Sequence, residues 1–583
     1  MDFEDTIRRI ILNLQALYHN PKSNYAFAYN THELHIRLRT AKDDCKSAVL
    51  VIAKKHAWME KQKYQMKKVA TDRYFDYYQY NYVTNDPRLG YYFLISDGKT
   101  THVYSESGVT KAFDDEYAYF HYFQYPFINP IDVHTIPHWV HEAVFYQIFV
   151  ERFCNGDRSN DPQNVSPWKE LPKPKSFSGG DLQGILKKLD YLKELGINGL
   201  YLTPIFESPS NHKYDTTDYR KIDPSFGEKD LLCQLVKQAH KKGIRIILDG
   251  VFNHSGYFFA PFQDVLKNGA RSQYADWFHF LEFPENGHKP KYRCFGTSPN
   301  MPKLNTSNPQ LKQYLFDTVA YWMKETGIDG WRLDVSDEID HQFWRDFRKL
   351  VKDINPEAVI IGENWHNSYP WLMGDQFDGV MNYPVTKSCI QFFASQEISA
   401  EEFAEDLYAY LMRNSDQANF SMLNLLDSHD TMRFLTWCQG DIKKLMLAIL
   451  FLFSYVGIPC TYYGTEIGME GNGDPDSRRT FDWEESHWDK ELLAFYKRVI
   501  AFRKKCKPLQ YGTIQMWAND GVFYLKREYG HEKVLTVLNR TKEGKNIVLP
   551  AGKAMEWVTT EKTADIHTGF LKPFEGLSYY YSV

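Results

Sequence analysis

Eight short apolar runs, alternating with stretches of helical period, fill the middle of the chain and restrict its fold more than any other feature. They read AVFYQIFVERF, INGLYLTP, IRIILDGVFNH, DGWRLDVSDE, AVIIGENW, FDGVMNYP, MLNLLDSHD and IPCTYYGTE. Between several of them lie amphipathic segments such as LQGILKKLDYLKELG and DLLCQLVKQAHKKG. Parallel strands buried on both faces read as continuous apolar runs, and each pair needs a helical crossover. The pattern therefore predicts an α/β fold, a parallel (β/α)8 barrel over 125–504. The interval after the third run, about 255–304, is long and rich in Pro, Gly and aromatics. It predicts a small excursion domain over the barrel mouth.

At 583 residues the chain exceeds one ordinary core, and its two ends read differently from its middle. Over 1–124 the alternating runs ELHIRLRT, SAVLVIA, YYFLISDG and THVYSE predict a β-sandwich, preceded by a short amphipathic helix in MDFEDTIRRIILNLQALYHNP. Over 505–583, VFYLKRE, KVLTVLNR and KNIVLP predict a smaller β domain. The longest apolar stretch, LMLAILFLFSYVGIP, is too short for a comfortable membrane span and reads as a buried helix running into a strand. A net charge of -5 gives no basic footprint for nucleic acid. The eight cysteines form no CxxC pair, and a soluble, cytoplasmic protein with no organic cofactor is expected. Aromatic residues make up 16% of the chain, which suits sugar faces and a large core equally.

Chemistry in such a barrel sits at the C-terminal ends of the strands. The third run ends in Asp249, with Asn253 and His254 beyond it. The fourth carries Arg332 and Asp334 on one face, the fifth ends in Glu363, and the seventh in His429 and Asp430. A single Asp at such a place is commonly a helix cap, and a lone His a packing residue. Their recurrence at four strand ends points instead to one site. Cleaving a glycosidic bond with retention needs a carboxylate nucleophile and a carboxylic acid about 5 Å apart. Asp334, kept ionised by Arg332, suits the first role. Glu363, raised by its carboxylate neighbours and apolar Trp365, suits the second. Asp430 would grip sugar hydroxyls, and His254 and His429 would donate to them. Away from this site, ERFCNGDRSNDP offers Asn155, Asp157, Asn160 and Asp161, and FSGGDLQG adds Gly179 and Asp181. Such oxygen-rich spacing suits calcium or a polar turn alike.

DGVFNH, GWRLDVSDE, GENWH and LLDSHD, in this order, resemble the four signature regions of the α-amylase family, glycoside hydrolase family 13. MPKLN (301–305) is similar to the segment carried by its neopullulanase, cyclomaltodextrinase and maltogenic amylase group, and the resemblance covers essentially the whole chain. It implies Asp334 as nucleophile, Glu363 as acid/base and Asp430 as transition-state stabiliser, with Asp249, His254, Arg332 and His429 holding substrate. It adds His212 and Tyr214 from NHKYDTTDY, Asp474 and Arg478 from GDPDSRR, and Trp365 and Glu338 on the acceptor side. It implies a starch-binding-like character for the N-terminal sandwich and calcium at the positions above as a structural ion. It further implies a homodimer made through the N-terminal domain, and α-glucan oligosaccharides or cyclodextrins as substrates. Two departures fall beside the acceptor subsites: Ser336 and Asp337 in VSDE, where relatives commonly show VANE, and Asn364, where many carry isoleucine. They bear on the balance of hydrolysis against transglycosylation. The expected activity is hydrolysis of α-1,4 bonds, with some α-1,6 cleavage. The alternatives are a transferase or isomerase of the sucrose phosphorylase or trehalose synthase type, and a non-catalytic sugar-binding homologue.

Overall fold

The computed structural model describes residues 12–284, 288–561 and 569–583. The N-terminal helix expected in the first twenty residues falls largely on 1–11, outside the described residues. The chain divides into two compact units, one of 1–135 with 369–375 and 401–419, the other of 136–368, 376–400 and 420–583.

The first unit is the antiparallel sandwich. One sheet orders Ala26–Asn30, Glu33–Ala41, Phe75–Val83 and Lys67–Thr71; the other runs Gln62–Gln65, Ser47–Lys54, Leu89–Ser96, Thr101–Ser105 and Gly108–Thr110. Period-two alternation sends Leu34, Ile36 and Leu38 to meet Leu50, Ile52, Tyr91 and Phe93 in the core. The opposite face of Glu33–Ala41 carries His35 and Arg37, and these too are buried. Asp416 explains them. Its carboxylate accepts from His35 Nδ1 at 2.6 Å and pairs with Arg37. Burial alone would raise that carboxyl, but Arg37 and His35 hold it well below the usual range. This pairing shows why the unit takes in 401–419, which the sequence reading assigned to the barrel.

In the second unit the eight runs form the eight strands of the barrel. They are β1 (Phe145–Ile148), β2 (Gly199–Leu202), β3 (Arg245–Gly250), β4 (Gly330–Leu333), β5 (Val359–Gly362), β6 (Gly379–Val380), β7 (Leu423–Leu425) and β8 (Ile458–Tyr462). Hydrogen bonds run β6-β5-β4-β3-β2-β1-β8-β7, all parallel, and a bridge between Met381 and Leu423 joins the two ends. Phe145, Tyr201, Ile247, Val359, Ile361 and Leu423 fill the interior. After β3 the chain forms helix Ala260–Asn268 and the hairpin Phe280–Glu282 with Lys291–Tyr292, the excursion anticipated there.

The long apolar stretch is the helix Ile442–Ser454, buried from Leu445 to Ser454. A helix apolar all round must be enclosed. Helix Lys490–Lys505 covers one side, and the strands Glu532–Asn539 and Glu575–Ser582 of the C-terminal sheet cover another. Its end is satisfied by two buried guanidinium groups: Arg503 donates to Phe453 O at 3.0 Å, and Arg527, from the C-terminal sheet, to Ser454 O at 3.1 Å. Among the described residues no helix is long and apolar enough to cross a membrane.

Candidate active site

Short strands with polar residues at their C-terminal ends place a cluster of ionisable groups at one mouth of the barrel. Register sets Asp249 of β3 beside Arg332 of β4, and Leu333 beside Gly362 of β5. Asp334 and Glu363 thus leave adjacent strands at one level. Asp430 and His429 arrive just beyond β7.

Arg332, fully buried, organises the carboxylates. Its Nη1 donates to both Asp249 oxygens, at 3.0 and 2.9 Å, and to Asp334 Oδ1 at 2.9 Å. Its Nη2 lies 2.7 Å from Glu363 Oε2, an ion contact without hydrogen-bond alignment. One cation therefore touches three carboxyl groups. Burial pushes Asp334 well above the usual carboxylate range, against the pull of Arg332, and Glu363 and Asp249 add to the rise. Asp249 is likewise pushed up by burial, to about 6. Desolvation and two acidic neighbours thus oppose the hold of Arg332 on the Asp334 charge. Three carboxyls around one cation favour retaining a proton within the cluster.

Glu363 Oε2 meets Arg332 and accepts from Val335 N at 3.0 Å, so a cation and a backbone donor stand there beside the carboxylate neighbours that were expected. Trp365 is stacked on Tyr383 with ring centroids 3.7 Å apart, and 42% of its surface stays exposed as a platform at the cleft rim. Asp334 Oδ2 is buried with no hydrogen-bond partner among the described residues, 4.0 Å from His254 Nε2. An open acceptor beside an open imidazole nitrogen leaves room for a reacting atom.

The walls are built from the remaining residues. His212, Tyr214, His254, Glu338, Trp365, Asp430, Asp474 and Arg478 line a cleft of roughly 510 Å³ with Asp334 and Glu363. Asp249, Arg332 and His429 support it from below. Tyr214 and His429 rings are parallel, 5.5 Å apart, and Tyr214 Oη lies 3.0 Å from Asp249 Oδ2 and 2.5 Å from His429 Nε2. Gln147 Nε2 donates to His429 Nδ1 at 2.7 Å, which leaves the His429 proton on Nε2 and the Tyr214 proton for Asp249. Burial lowers the pKa of His254 to about 3 and that of His429 well below its ordinary value. Both are neutral donors across the working range. Arg478 reaches Asp474 at 3.1 Å, Asp430 at 3.4 Å and His429 O at 2.8 Å.

The excursion closes the Glu338 side of the cleft. Leu304 N donates to Asn253 O and Ser255 N to Pro302 O, each at 3.0 Å. Lys303 Nζ binds Asn253 Oδ1 and lies 3.2 Å from Glu338 Oε2. Between Asp334 and this wall, Val335 adopts a positive φ of 44°. A β-branched residue there is strained, and the strain aims its N–H at Glu363. Sequence reasoning missed Gln147, Phe295 and Met301 as parts of the site, whereas Asp337, singled out in VSDE, does line the cleft. Gln147 carried a signal, being the one amide in the apolar run AVFYQIFV; Phe295 carried none.

In the oxygen-rich loop, Asp157 and Asp181 cap helices, Asp157 accepting from Ser159 N and Asp181 from Gly184 N and Gly156 N. Asn155 Oδ1 and Asn160 Oδ1 are buried with no partner among the described residues. Gly179 has φ +81°, and a Cβ there would come within 2.3 Å of Asp161 Oδ1. Among the described residues no three His, Cys, Asp or Glu side chains converge on a metal position. Two orphaned amide oxygens beside Asp161 nevertheless fit a hard cation.

The model for the alpha amylase catalytic domain matches residues 147–512, and that for the alpha amylase N-terminal Ig-like domain matches 12–129. A cyclomaltodextrinase from Geobacillus thermopakistaniensis is 46% identical over 94% of this chain and 95% of its own length. Neopullulanase 2 from Thermoactinomyces vulgaris is 44% identical over 97% and 99%. A solved cyclomaltodextrinase structure superposes with a TM-score of 0.91 at 43% identity, over 97% of this chain and all of its own.

Proposed function

This chain belongs to the α-amylase family, and from that premise we propose that it is a retaining α-glucan hydrolase of the cyclomaltodextrinase, neopullulanase and maltogenic amylase group. It cleaves α-1,4-glucosidic bonds in cyclomaltodextrins, pullulan and maltooligosaccharides, with some α-1,6 cleavage and transglycosylation. The observation that carries the reading is the single guanidinium of Arg332 in contact with Asp249, Asp334 and Glu363. Asp334 attacks the anomeric carbon, and Glu363 protonates the leaving oxygen and then takes a proton from the incoming water or sugar. Asp430, His254, His429 and Arg478 hold the hydroxyls of the reacting ring, and Tyr214 offers it a flat face. Trp365 and Glu338 border the acceptor. A non-catalytic homologue would lack one or more of Asp334, Glu363 and Asp430; all three line this cleft.

Product analysis on cyclomaltodextrins, pullulan and soluble starch tests the reading. Panose from pullulan is expected; isopanose would contradict the choice of bond, and no reducing ends from any of the three would refute the activity.

Calcium is proposed as a structural ion held by Asn155, Asp157, Asn160, Asp161, Gly179 and Asp181, supported by the two orphaned amide oxygens. It would tie the loop after β1 together and take no part in the chemistry. Chelator-treated protein should melt at a lower temperature and regain stability with calcium. An unchanged melt would remove the ion. A homodimer through the N-terminal unit is supported by its exposed Tyr117, Tyr119, Phe120 and Phe127. Sedimentation should give twice the 68.6 kDa chain mass, and a monomer would refute it. A cytoplasmic location is supported by eight unpaired cysteines and by an intracellular maltogenic amylase among the relatives. Periplasmic or secreted protein in cell fractionation would refute it.

A further inference from the structure

Glu363 is held at three points by the residues that flank Asp334. Its amide donates to Leu333 O at 2.9 Å, its Oε2 accepts from Val335 N at 3.0 Å, and its carbonyl oxygen lies 3.0 Å from Ser336 Oγ. Ser336 Oγ also lies 2.6 Å from Asn364 Oδ1, and Asn364 Nδ2 finds no partner among the described residues. Ser336 is 0% exposed and Asn364 2%, so bulk solvent reaches neither. A hydroxyl has one proton and cannot donate to Glu363 O and to Asn364 together. With the Asn364 amide turned over, its N–H donates to Ser336 Oγ and the hydroxyl proton goes to Glu363 O. Both contacts are then satisfied. The two departures in the signature segments are thus in contact with each other, directly behind the acid/base.

We propose that Ser336 and Asn364 are positioning residues that act as one unit: Asn364 orients the Ser336 hydroxyl, which pins the Glu363 peptide against the strand end that carries Asp334. Neither residue lines the cleft, and both act through the reach of the Glu363 carboxyl toward the leaving oxygen. The proposal rests on the reading of Glu363 as acid/base. Removing the hydroxyl frees the Glu363 carbonyl and leaves the Asn364 amide unpaired. Protonation of the leaving group suffers first, because proton transfer needs hydrogen-bond reach.

Ser336→Ala and Glu363→Gln are compared on maltotriose, whose leaving sugar needs a proton, and on α-maltosyl fluoride, whose leaving group does not. For Ser336→Ala, kcat/KM on maltotriose should fall by about tenfold or more while the fluoride stays within about threefold, because a displaced acid affects only the step it protonates. If Ser336→Ala does not fold, Ser336→Ala/Asn364→Leu leaves no buried amide unpaired and should show the same selectivity. Equal losses on both substrates would mark a merely structural role and overturn the proposal, as would an unchanged rate on maltotriose. If Glu363→Gln itself shows no selectivity, the acid/base reading falls and the proposal with it. Selectivity in Glu363→Gln without selectivity in the serine variants would overturn the proposal alone.

Discussion

Asp334→Asn should reduce turnover of maltooligosaccharides by about 10⁴-fold or more, the scale seen when a covalent nucleophile is neutralised. Asparagine keeps the shape of the side chain and can still accept from Arg332 Nη1, now 2.9 Å from Asp334 Oδ1, so the fold is retained. What disappears is the charge that attacks the anomeric carbon and forms the glycosyl-enzyme. The measurement pairs initial rates with a thermal melt: a near-native melting temperature with rates at background is the expected result. Turnover above about one part in a hundred of wild type, far beyond what a lost nucleophile permits, would take the role from Asp334. The same residue sets a pH dependence. The attacking group must be ionised, and burial has raised both Asp334 and its neighbour Asp249, the latter to about 6. Activity of the wild type should therefore fall as pH drops through a limb lying above the ordinary carboxylate value of 3.8. His254 and His429 cannot supply that limb, because burial keeps both neutral there.

Glu363→Gln should also be severely damaging on natural substrates, by about 10²- to 10⁴-fold, the usual contribution of a positioned proton donor. Its signature separates it from Asp334→Asn. A leaving group that needs no proton should restore the first step, so α-maltosyl fluoride should still load the enzyme. Breakdown of the covalent intermediate then lacks its base, and added azide, which needs no deprotonation, should accelerate it. The product is then α-maltosyl azide, with the configuration retained by two displacements. Failure of azide to raise the rate, or azide of inverted configuration, would refute the assignment of Glu363 and the retaining course.

Much of this was legible in the sequence. The barrel strands were, because a parallel strand buried on both faces leaves an uninterrupted apolar run. Asp249, Arg332, Asp334, Glu363, His429 and Asp430 were, because each stands at the end of such a run. His212, Tyr214, Asp474 and Arg478 lie in loops without period and came only from resemblance. What the sequence could not carry was adjacency across strands. Nothing in GENWH tells that Glu363 meets the guanidinium of Arg332, or that Asn364 faces Ser336. Nor does the helical period of 401–412 reveal that this stretch and Asp416 belong with the sandwich, since the buried face of His35 and Arg37 identifies its cover only in three dimensions.

Arg527 reaches from the terminal sheet to the last turn of a helix that is apolar from Leu445 to Phe453, and this makes residue 505 a poor place to cut. A shortened gene ending there would strip away the Arg527 cap, leaving only that of Arg503, and wet a hydrocarbon flank at once. Engineering of a minimal catalyst has to begin by repainting that helix, or by carrying the sheet along.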